Sequence, residues 1–225
     1  MNRTTKRICM TTFGVIICAV SVGIFKIAAL GVDPFQSLMA GLDKLIPIQF
    51  GTLYVIVNAI LLIFALVADR HYIGIATFIN LFLLGYITQW TYEFLQKFIV
   101  EPEMWVRVAC LLIAIVIICF GSAFYMTSNL GVSTYDAVAL IITNTWKIGK
   151  FQYIRIITDV ICVIAGGAIF VLGGGEIKDI PTIIGVGTII TAFFMGPLIT
   201  FFNNKFAIPF LNGNESPESE QDTAN

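Results

Sequence analysis

Charged side chains are scarce in this 225-residue sequence. Asp, Glu, Lys and Arg make up 12% of the residues, compared with ~25% in a typical soluble domain, whereas 58% are hydrophobic and the mean hydropathy is +0.91. One water-soluble core of this size cannot hide so many apolar side chains. The composition therefore predicts an all-α polytopic membrane protein whose main partner is the lipid bilayer, with room for about six to eight helical crossings.

Basic stripes, clustered cysteines and histidine pairs are also missing. The formal net charge is -1, so the chain offers no surface for nucleic-acid phosphates. The five cysteines stand singly in apolar runs and His71 is the one histidine, whereas zinc and iron–sulfur sites need clustered ligands. No nucleophile–base pair stands out either. We therefore expect no metal, no cofactor and no enzymatic activity.

Apolar runs divide the chain into predicted helices. Six of them are long enough to cross a bilayer: 9–31, 51–68, 72–96, 105–129, 151–172 and 180–203. Two shorter apolar segments, 34–46 and 134–146, predict short helices between the long ones. Basic residues before the first segment predict a cytoplasmic N-terminus. The polar, acidic segment 212–225 predicts a disordered cytoplasmic tail.

The sequence also repeats itself. Residues 30–37 (LGVDPFQS) align with 130–137 (LGVSTYDA), and 74–85 align with 185–196. Between these pairs, 50–58 align with 151–159. Agreement at matched places in three successive segments predicts two homologous repeats, 1–100 and 101–211, each made of one long, one short and two long helices.

Two arrangements of these repeats are open. If the short helices do not cross the membrane, each repeat has three crossings and the repeats are inverted (3+3); if they cross, each has four and the repeats are parallel (4+4). A helix over 34–46 reaches only about 20 Å, which favours the inverted arrangement. The parallel arrangement places a larger share of Lys and Arg in the cytoplasm, and we favour it slightly on that ground. Both arrangements place both termini in the cytoplasm.

The first helix break carries a motif that resembles a known family. The chain reads LGVDPFQ over 30–36 and enters the next long segment with Gly-Thr at 51–52. This is similar to the YczE/YyaS/YitT group of bacterial integral membrane proteins, which carry a Leu-Gly-x-x-Pro-aromatic-Asp pattern. This chain has Gln36 in place of the acid, whereas the second copy keeps the acid as Asp136 and replaces the proline with Thr134. The resemblance implies a bacterial plasma-membrane protein with a poorly defined, often presumed transport-related role.

Asp159 is the first candidate for a functional group. An ionisable side chain at membrane depth costs ~2.5–3.5 kcal/mol or more, so its presence there needs a reason. Asp159 lies inside an apolar segment, its repeat counterpart is Asn58, and Arg155 precedes it by one helical turn. One interpretation is a carboxylate that binds a proton or a cation. The other is an Arg155–Asp159 pair that only fixes helix packing.

The helix breaks at Gly31 and Gly131 supply the second set of candidates. Each break frees backbone groups and presents a helix N-terminus, where N–H dipoles favour an anion or a polar ligand group. Gln36 and Asp136 follow these breaks at equivalent positions. They are either ligand-binding groups or residues that cap their own first helical turn.

These features favour a small-solute permease. Two repeats would pack about a pseudo-two-fold axis, with a small-molecule or ion substrate between them and alternating access produced by their relative movement. The alternative is a non-transporting membrane scaffold or accessory factor in which the polar residues only pack helices. The substrate stays unidentified, and homo-oligomerisation stays open.

Overall fold

The computed structural model describes residues 3–149 and 151–212, which form helices joined by short turns, without a β-strand among them. The helices are α1 (Arg3–Ala28), α2 (Pro34–Leu45), α3 (Phe50–Ala68), α4 (Ile75–Gln96), α5 (Met104–Thr127), α6 (Thr134–Leu140), α7 (Phe151–Leu172), α8 (Ile180–Ile183), α9 (Val186–Phe202) and α10 (Ile208–Asn212). Turns of π-helix, Ile141–Thr145 and Asn203–Ala207, follow α6 and α9. The predicted all-α class is confirmed for this part of the chain. Beyond Asn212, the predicted disordered tail lies outside the described residues.

Five stretches are long and apolar enough to cross a membrane. They are α1, α3, α5, residues 153–172 of α7, and residues 177–212, which contain α9. The predicted crossing at 72–96 corresponds to α4, which has 22 residues but carries Gln89 and Glu93 in its second half and is not among the five. Apolar helices of this number and length fit a membrane protein.

Helix α1 lies at the centre of the bundle and runs antiparallel to α5. The Thr11 hydroxyl donates to the Ser128 hydroxyl at 2.6 Å, and the Ser21 hydroxyl donates to the Ala114 carbonyl at 2.6 Å. Contacts therefore move backwards along α5 as they move forwards along α1. The two helices approach closely because Gly14 has no side chain: a Cβ atom there would lie 2.6 Å from a carbonyl oxygen of α5.

Helix α4 packs on another side of α1 and runs parallel to it. The Thr88 hydroxyl donates to the Ala19 carbonyl at 3.1 Å. Further along both helices, a Cβ atom on Gly23 would lie 2.7 Å from the Cβ of Thr91, so this interface is also close. Contacts move forwards along both helices together.

These two directions correct one prediction from the sequence. In the parallel 4+4 arrangement, α5 would run in the same direction as α1, and α4 would run against it. The structure shows the opposite in both cases, so the preference for that arrangement is wrong. The preference came from the side of the membrane assigned to Lys44, Lys97 and Arg107, and so few charges cannot outweigh the packing of whole helices.

The short helices lie beside the long ones. Helix α2 runs parallel to α7, and the two touch so closely that a Cβ atom on Gly41 would collide with the carbonyl oxygen of Gly166. Helix α6 also runs parallel to its neighbour α3, since Thr134 bonds to Asn58 and, further along both segments, Thr145 bonds to Asp69. Helix α2 has 12 residues and covers about 18 Å, less than the ~30 Å of a hydrocarbon core. Its last turn lies beside Gly173, at the end of α7.

The far end of α6 is held by a loop carboxylate outside the membrane helices. The Thr145 hydroxyl donates to Asp69 at 2.6 Å, and the backbone N–H of His71 donates to the same carboxylate at 2.9 Å. These two hydrogen bonds stabilise the ionised form and lower the pKa of Asp69.

Each helix break is closed by a distant segment of backbone. Gly31 has a φ of +98° and Gly131 a φ of +106°, in the left-handed region that favours glycine. Three backbone hydrogen bonds of 2.8–3.3 Å join residues 30–32 to residues 182–187. Two more, of 3.0–3.1 Å, join residues 130–132 to residues 72–76. The polar groups freed by the breaks are thus satisfied inside the protein, as a membrane requires.

Candidate functional site

The N-termini of α2 and α6 meet in the interior, where the side chains that precede them cap the helices. Asp33 accepts the backbone N–H of Gln36 at 3.2 Å, and Ser133 accepts the backbone N–H of Asp136 at 3.1 Å. Residues at helix N-caps commonly play this part. The side chain of Gln36 takes no part in the cap of α2, whereas the Asp136 carboxylate accepts the hydroxyl of the N-cap residue Ser133 at 2.7 Å.

Three cavities adjoin one another at this point. The central cavity, of about 130 Å³, is lined by polar groups from six helices and two caps, among them Asp33, Gln36, Asn58, Tyr125, Asp136 and Arg155. The Arg155 cavity, of about 300 Å³, shares Asp33 and Asp136 with it and extends to Asp159. The Lys26 cavity, of about 260 Å³, shares Gln36 with the central cavity and none of its lining with the Arg155 cavity. The central cavity thus lies between the other two.

Arg155 organises the charged side of the site. Its guanidinium bonds to Asp136 of α6, and its Nε lies 3.4 Å from Asp159, one turn further along α7. The same guanidinium lies over the ring of Tyr135, 4.4 Å from the ring centroid. The Tyr135 hydroxyl in turn donates to Asp159 at 2.6 Å. The predicted Arg155–Asp159 contact is therefore one part of a network that joins α6 to α7.

The side chain of Asn58 forms hydrogen bonds within α3 and from α3 to α6. Its amide nitrogen donates to the Tyr54 carbonyl at 2.8 Å, and its amide oxygen accepts the Thr134 hydroxyl at 2.6 Å. The residue is 1% exposed. Among the predicted site residues, Asn58 thus differs from Gln36, because its side chain already holds α6 against α3.

Two residues that line the central cavity each have a buried polar atom without a hydrogen-bond partner among the described residues. These atoms are the Oε1 of Gln36 and the hydroxyl of Tyr125. The two residues are 5% and 7% exposed, so bulk water does not satisfy these atoms. A buried polar group without a partner costs about 1–3 kcal/mol, and such groups at a cavity wall are typical of a site that binds something polar.

Within the described part of the chain, no group of three His, Cys, Asp or Glu side chains is arranged to hold a metal ion. The carboxylates of Asp136 and Asp159 are instead turned towards Arg155. The polar groups that line the site are carboxylates, amides, hydroxyls and the Arg155 guanidinium.

A family model covers nearly the whole of this chain. It is described as a family of unknown function, DUF6198, and it matches residues 5–204. The chain belongs to the DUF6198 family. The YyaS-type resemblance of the first helix break is thereby confirmed, since an uncharacterized protein YyaS of Bacillus subtilis is 27% identical over 135 residues, 60% of this chain and 67% of that protein.

A second relative of this DUF6198 protein spans more of it. An uncharacterized protein of Haemophilus influenzae is 24% identical over 203 residues, which cover 90% of this chain and 85% of the relative. No solved structure matches the chain. The relatives are bacterial and their names carry no activity, so the function has to be argued from the geometry of the site.

Sequence reasoning missed several residues that the structure places in the central cavity of this DUF6198 protein. Asp33 had a visible signal, because an acidic residue directly before Pro34 is typical of a helix N-cap. The sequence signal for Tyr135 was weaker: it is the repeat counterpart of Phe35. In the structure the two rings stack with centroids 4.9 Å apart. Tyr125 had no sequence signal that pointed to the site, because a tyrosine at the end of an apolar helix resembles an interfacial anchor.

Proposed function

We propose that this protein is a small-solute permease of the bacterial plasma membrane that binds its substrate in the central cavity. The observation that carries the proposal is the meeting of two half-length helices, α2 and α6, at a buried polar cavity. Broken helices whose N-termini face a mid-depth site are typical of secondary transporters. The unpartnered atoms of Gln36 and Tyr125 supply groups that a polar solute could contact.

The proposal includes two inverted repeats, 1–100 and 101–211. Three relations support them. Helices α1 and α5, which are equivalent in the repeat alignment, cross antiparallel. The α1–α4 pair is parallel, and so is the equivalent α5–α9 pair, in which Cys119 lies beside Met195 and Thr127 beside Asn203. The break in each repeat is closed by backbone of the other repeat.

This arrangement implies six crossings, by α1, α3, α4, α5, α7 and α9, with both termini in the cytoplasm. The two outer cavities then lie towards opposite faces of the membrane. The Lys26 cavity lies at the end of α1, away from the cytoplasm. The Arg155 cavity reaches Phe151 and Met126, at the cytoplasmic ends of α7 and α5.

Alternating access is the mechanism that we propose for this geometry. A solute entering the Lys26 cavity meets Gln36, which lines both that cavity and the central one. Leaving the central cavity on the other side, it passes between Asp33 and the Arg155–Asp136 pair. Small movements of α2 and α6 against their long partners would open one passage while closing the other.

The alternative is a scaffold or accessory factor that does not transport. The contacts of Asn58 favour it, because this buried amide only joins α3 to α6. In that case the Arg155 network has the same structural role, and replacing Gln36 by an apolar side chain of similar size would leave function intact.

Solute uptake into proteoliposomes tests the permease. The purified full chain is reconstituted and exposed in turn to radiolabelled amino acids, sugars, carboxylic acids and organic amines. We expect saturable uptake of at least one class, and we expect Gln36→Leu to reduce it at least tenfold. The matched control is Gln96→Leu, at the exposed end of α4 and outside all three cavities. Uptake no higher than in protein-free liposomes for every class would refute the permease.

A further inference from the structure

The central cavity holds more negative than positive charge. Three carboxylates, those of Asp33, Asp136 and Asp159, face it or the adjoining Arg155 cavity, and Arg155 is the one guanidinium among the lining residues. Arg155 is engaged by Asp136 and Asp159. Among the residues that the structure describes, no cation forms an ion pair with Asp33, whose carboxylate accepts the backbone N–H of Gln36. One carboxylate therefore lacks a counter-charge.

Two buried acceptors lie near this carboxylate. The Oε1 of Gln36 has no partner, and neither has the hydroxyl of Tyr125. Because the two residues are 95% and 93% buried, bulk water does not satisfy these atoms. A carboxylate and an amide oxygen both accept hydrogen bonds, so the complementary ligand is a donor that carries positive charge.

Aromatic rings complete the wall. Phe35 stacks on Tyr135, and the ring of Tyr54 meets Phe35 edge-on with centroids 6.0 Å apart. All three rings line the central cavity. Aromatic faces attract organic cations, because the ring quadrupole places negative potential on the face.

We infer that the central cavity binds a small monovalent organic ammonium ion, with Asp33 as its counter-ion and Gln36 and Tyr125 as hydrogen-bonding groups. This inference rests on the proposed permease and names its substrate class. The volume of about 130 Å³ restricts the ligand to a few non-hydrogen atoms. Uncompensated negative charge at mid-depth is costly, so a cation that neutralises Asp33 binds favourably there.

Thermal unfolding of the purified full chain in detergent tests this site. The probes are methylammonium, dimethylammonium and trimethylammonium chlorides, each with an N–H donor, compared with sodium chloride at equal ionic strength, sodium acetate and glycerol. We expect at least one ammonium salt to raise the Tm in a saturable way that sodium chloride does not reproduce. Asp33→Asn, which keeps a good N-cap residue, should raise the apparent Kd at least tenfold. Asp179→Asn removes a carboxylate outside the cavities and should leave the Kd unchanged.

The outcomes separate this inference from the permease itself. Saturable stabilisation by acetate or glycerol but by no ammonium salt overturns the cation site and leaves the permease standing. Unchanged ammonium affinity in both Asp33→Asn and Gln36→Leu also overturns it. A higher Tm for Asp33→Asn without any ammonium effect shows that a proton neutralises Asp33, which again refutes the inference. The permease fails only if the proteoliposome assay also shows no uptake.

Discussion

Replacing Arg155 by leucine should be the most destabilising single change in the site. Arg155 contacts two carboxylates, and the side chains of Arg155 and Asp136 are 32% and 30% exposed, while that of Asp159 is 15% exposed. Removing one partner of a buried ion pair costs ~3–5 kcal/mol. Because these side chains border cavities and are partly solvated, we expect the low end for Arg155→Leu, about 3 kcal/mol in the free energy of unfolding.

Asp159→Asn should cost much less. The variant keeps the Arg155–Asp136 pair, and asparagine still offers an oxygen to the Tyr135 hydroxyl. The variant loses the negative charge that accepts the 2.6 Å hydrogen bond from Tyr135, and it loses the 3.4 Å contact with Arg155. We expect these losses to lower the free energy of unfolding by about 1 kcal/mol. Combining Arg155→Leu with Asp136→Asn and Asp159→Asn should restore stability to within about 1 kcal/mol of the wild type, because no unpaired charge remains in the network.

The measurement is reversible unfolding of the purified full chain in mixed micelles, with Arg107→Leu at the start of α5 as the control for loss of an arginine. The reasoning is refuted if Asp159→Asn destabilises as much as Arg155→Leu, or if the triple variant is no more stable than Arg155→Leu alone. A triple variant that regains stability but takes up no solute assigns the carboxylates to transport. A triple variant that regains both stability and solute uptake shows that the Arg155 network only holds the helices together.

Two further predictions concern packing and topology. Gly41→Ala should destabilise the protein by about 1–3 kcal/mol in the same unfolding assay, because its Cβ meets the Gly166 carbonyl, whereas Gly196→Ala, which meets nothing within 4 Å, should be neutral or stabilising by up to ~1 kcal/mol. Equal effects would contradict the tight α2–α7 contact. In a cysteine-free variant on intact cells, an impermeant maleimide should label Glu101→Cys but not Arg70→Cys. The reverse pattern would exclude the inverted arrangement.

Hydropathy was sufficient to predict most of the helices. The apolar segments 51–68, 105–129 and 151–172 correspond closely to α3, α5 and α7, because uninterrupted apolar runs of this length have few other stable conformations in lipid. The prediction of one short helix over 134–146 was less accurate, because α6 ends at Leu140 and a turn of π-helix follows it. The direction of packing could not be read from composition, because it depends on contacts such as Thr11–Ser128 between residues far apart in the chain.

The site was also predictable only in part, because it depends on contacts between residues far apart in the chain. Gln36, Asp136 and Asp159 were selected because polar groups are expensive in apolar segments. Their grouping around Arg155 could not be predicted, since it depends on how α6 packs on α7. Gly41 is an example of a contact that the sequence alone does not reveal. It resembles an ordinary helical glycine in the sequence, yet it is where α2 and α7 touch most closely.

The closure of the first helix break by distant backbone has a consequence for biosynthesis. Residues 30–32 are bonded to residues 182–187, which a ribosome translates much later. At ~5–20 residues per second, the delay is on the order of ten seconds, during which backbone groups costing several kcal/mol each lack their final partners in lipid. We therefore expect the nascent first half to depend on shielding by the insertion machinery until the chain is almost complete. A chain truncated before residue 182 never acquires those partners.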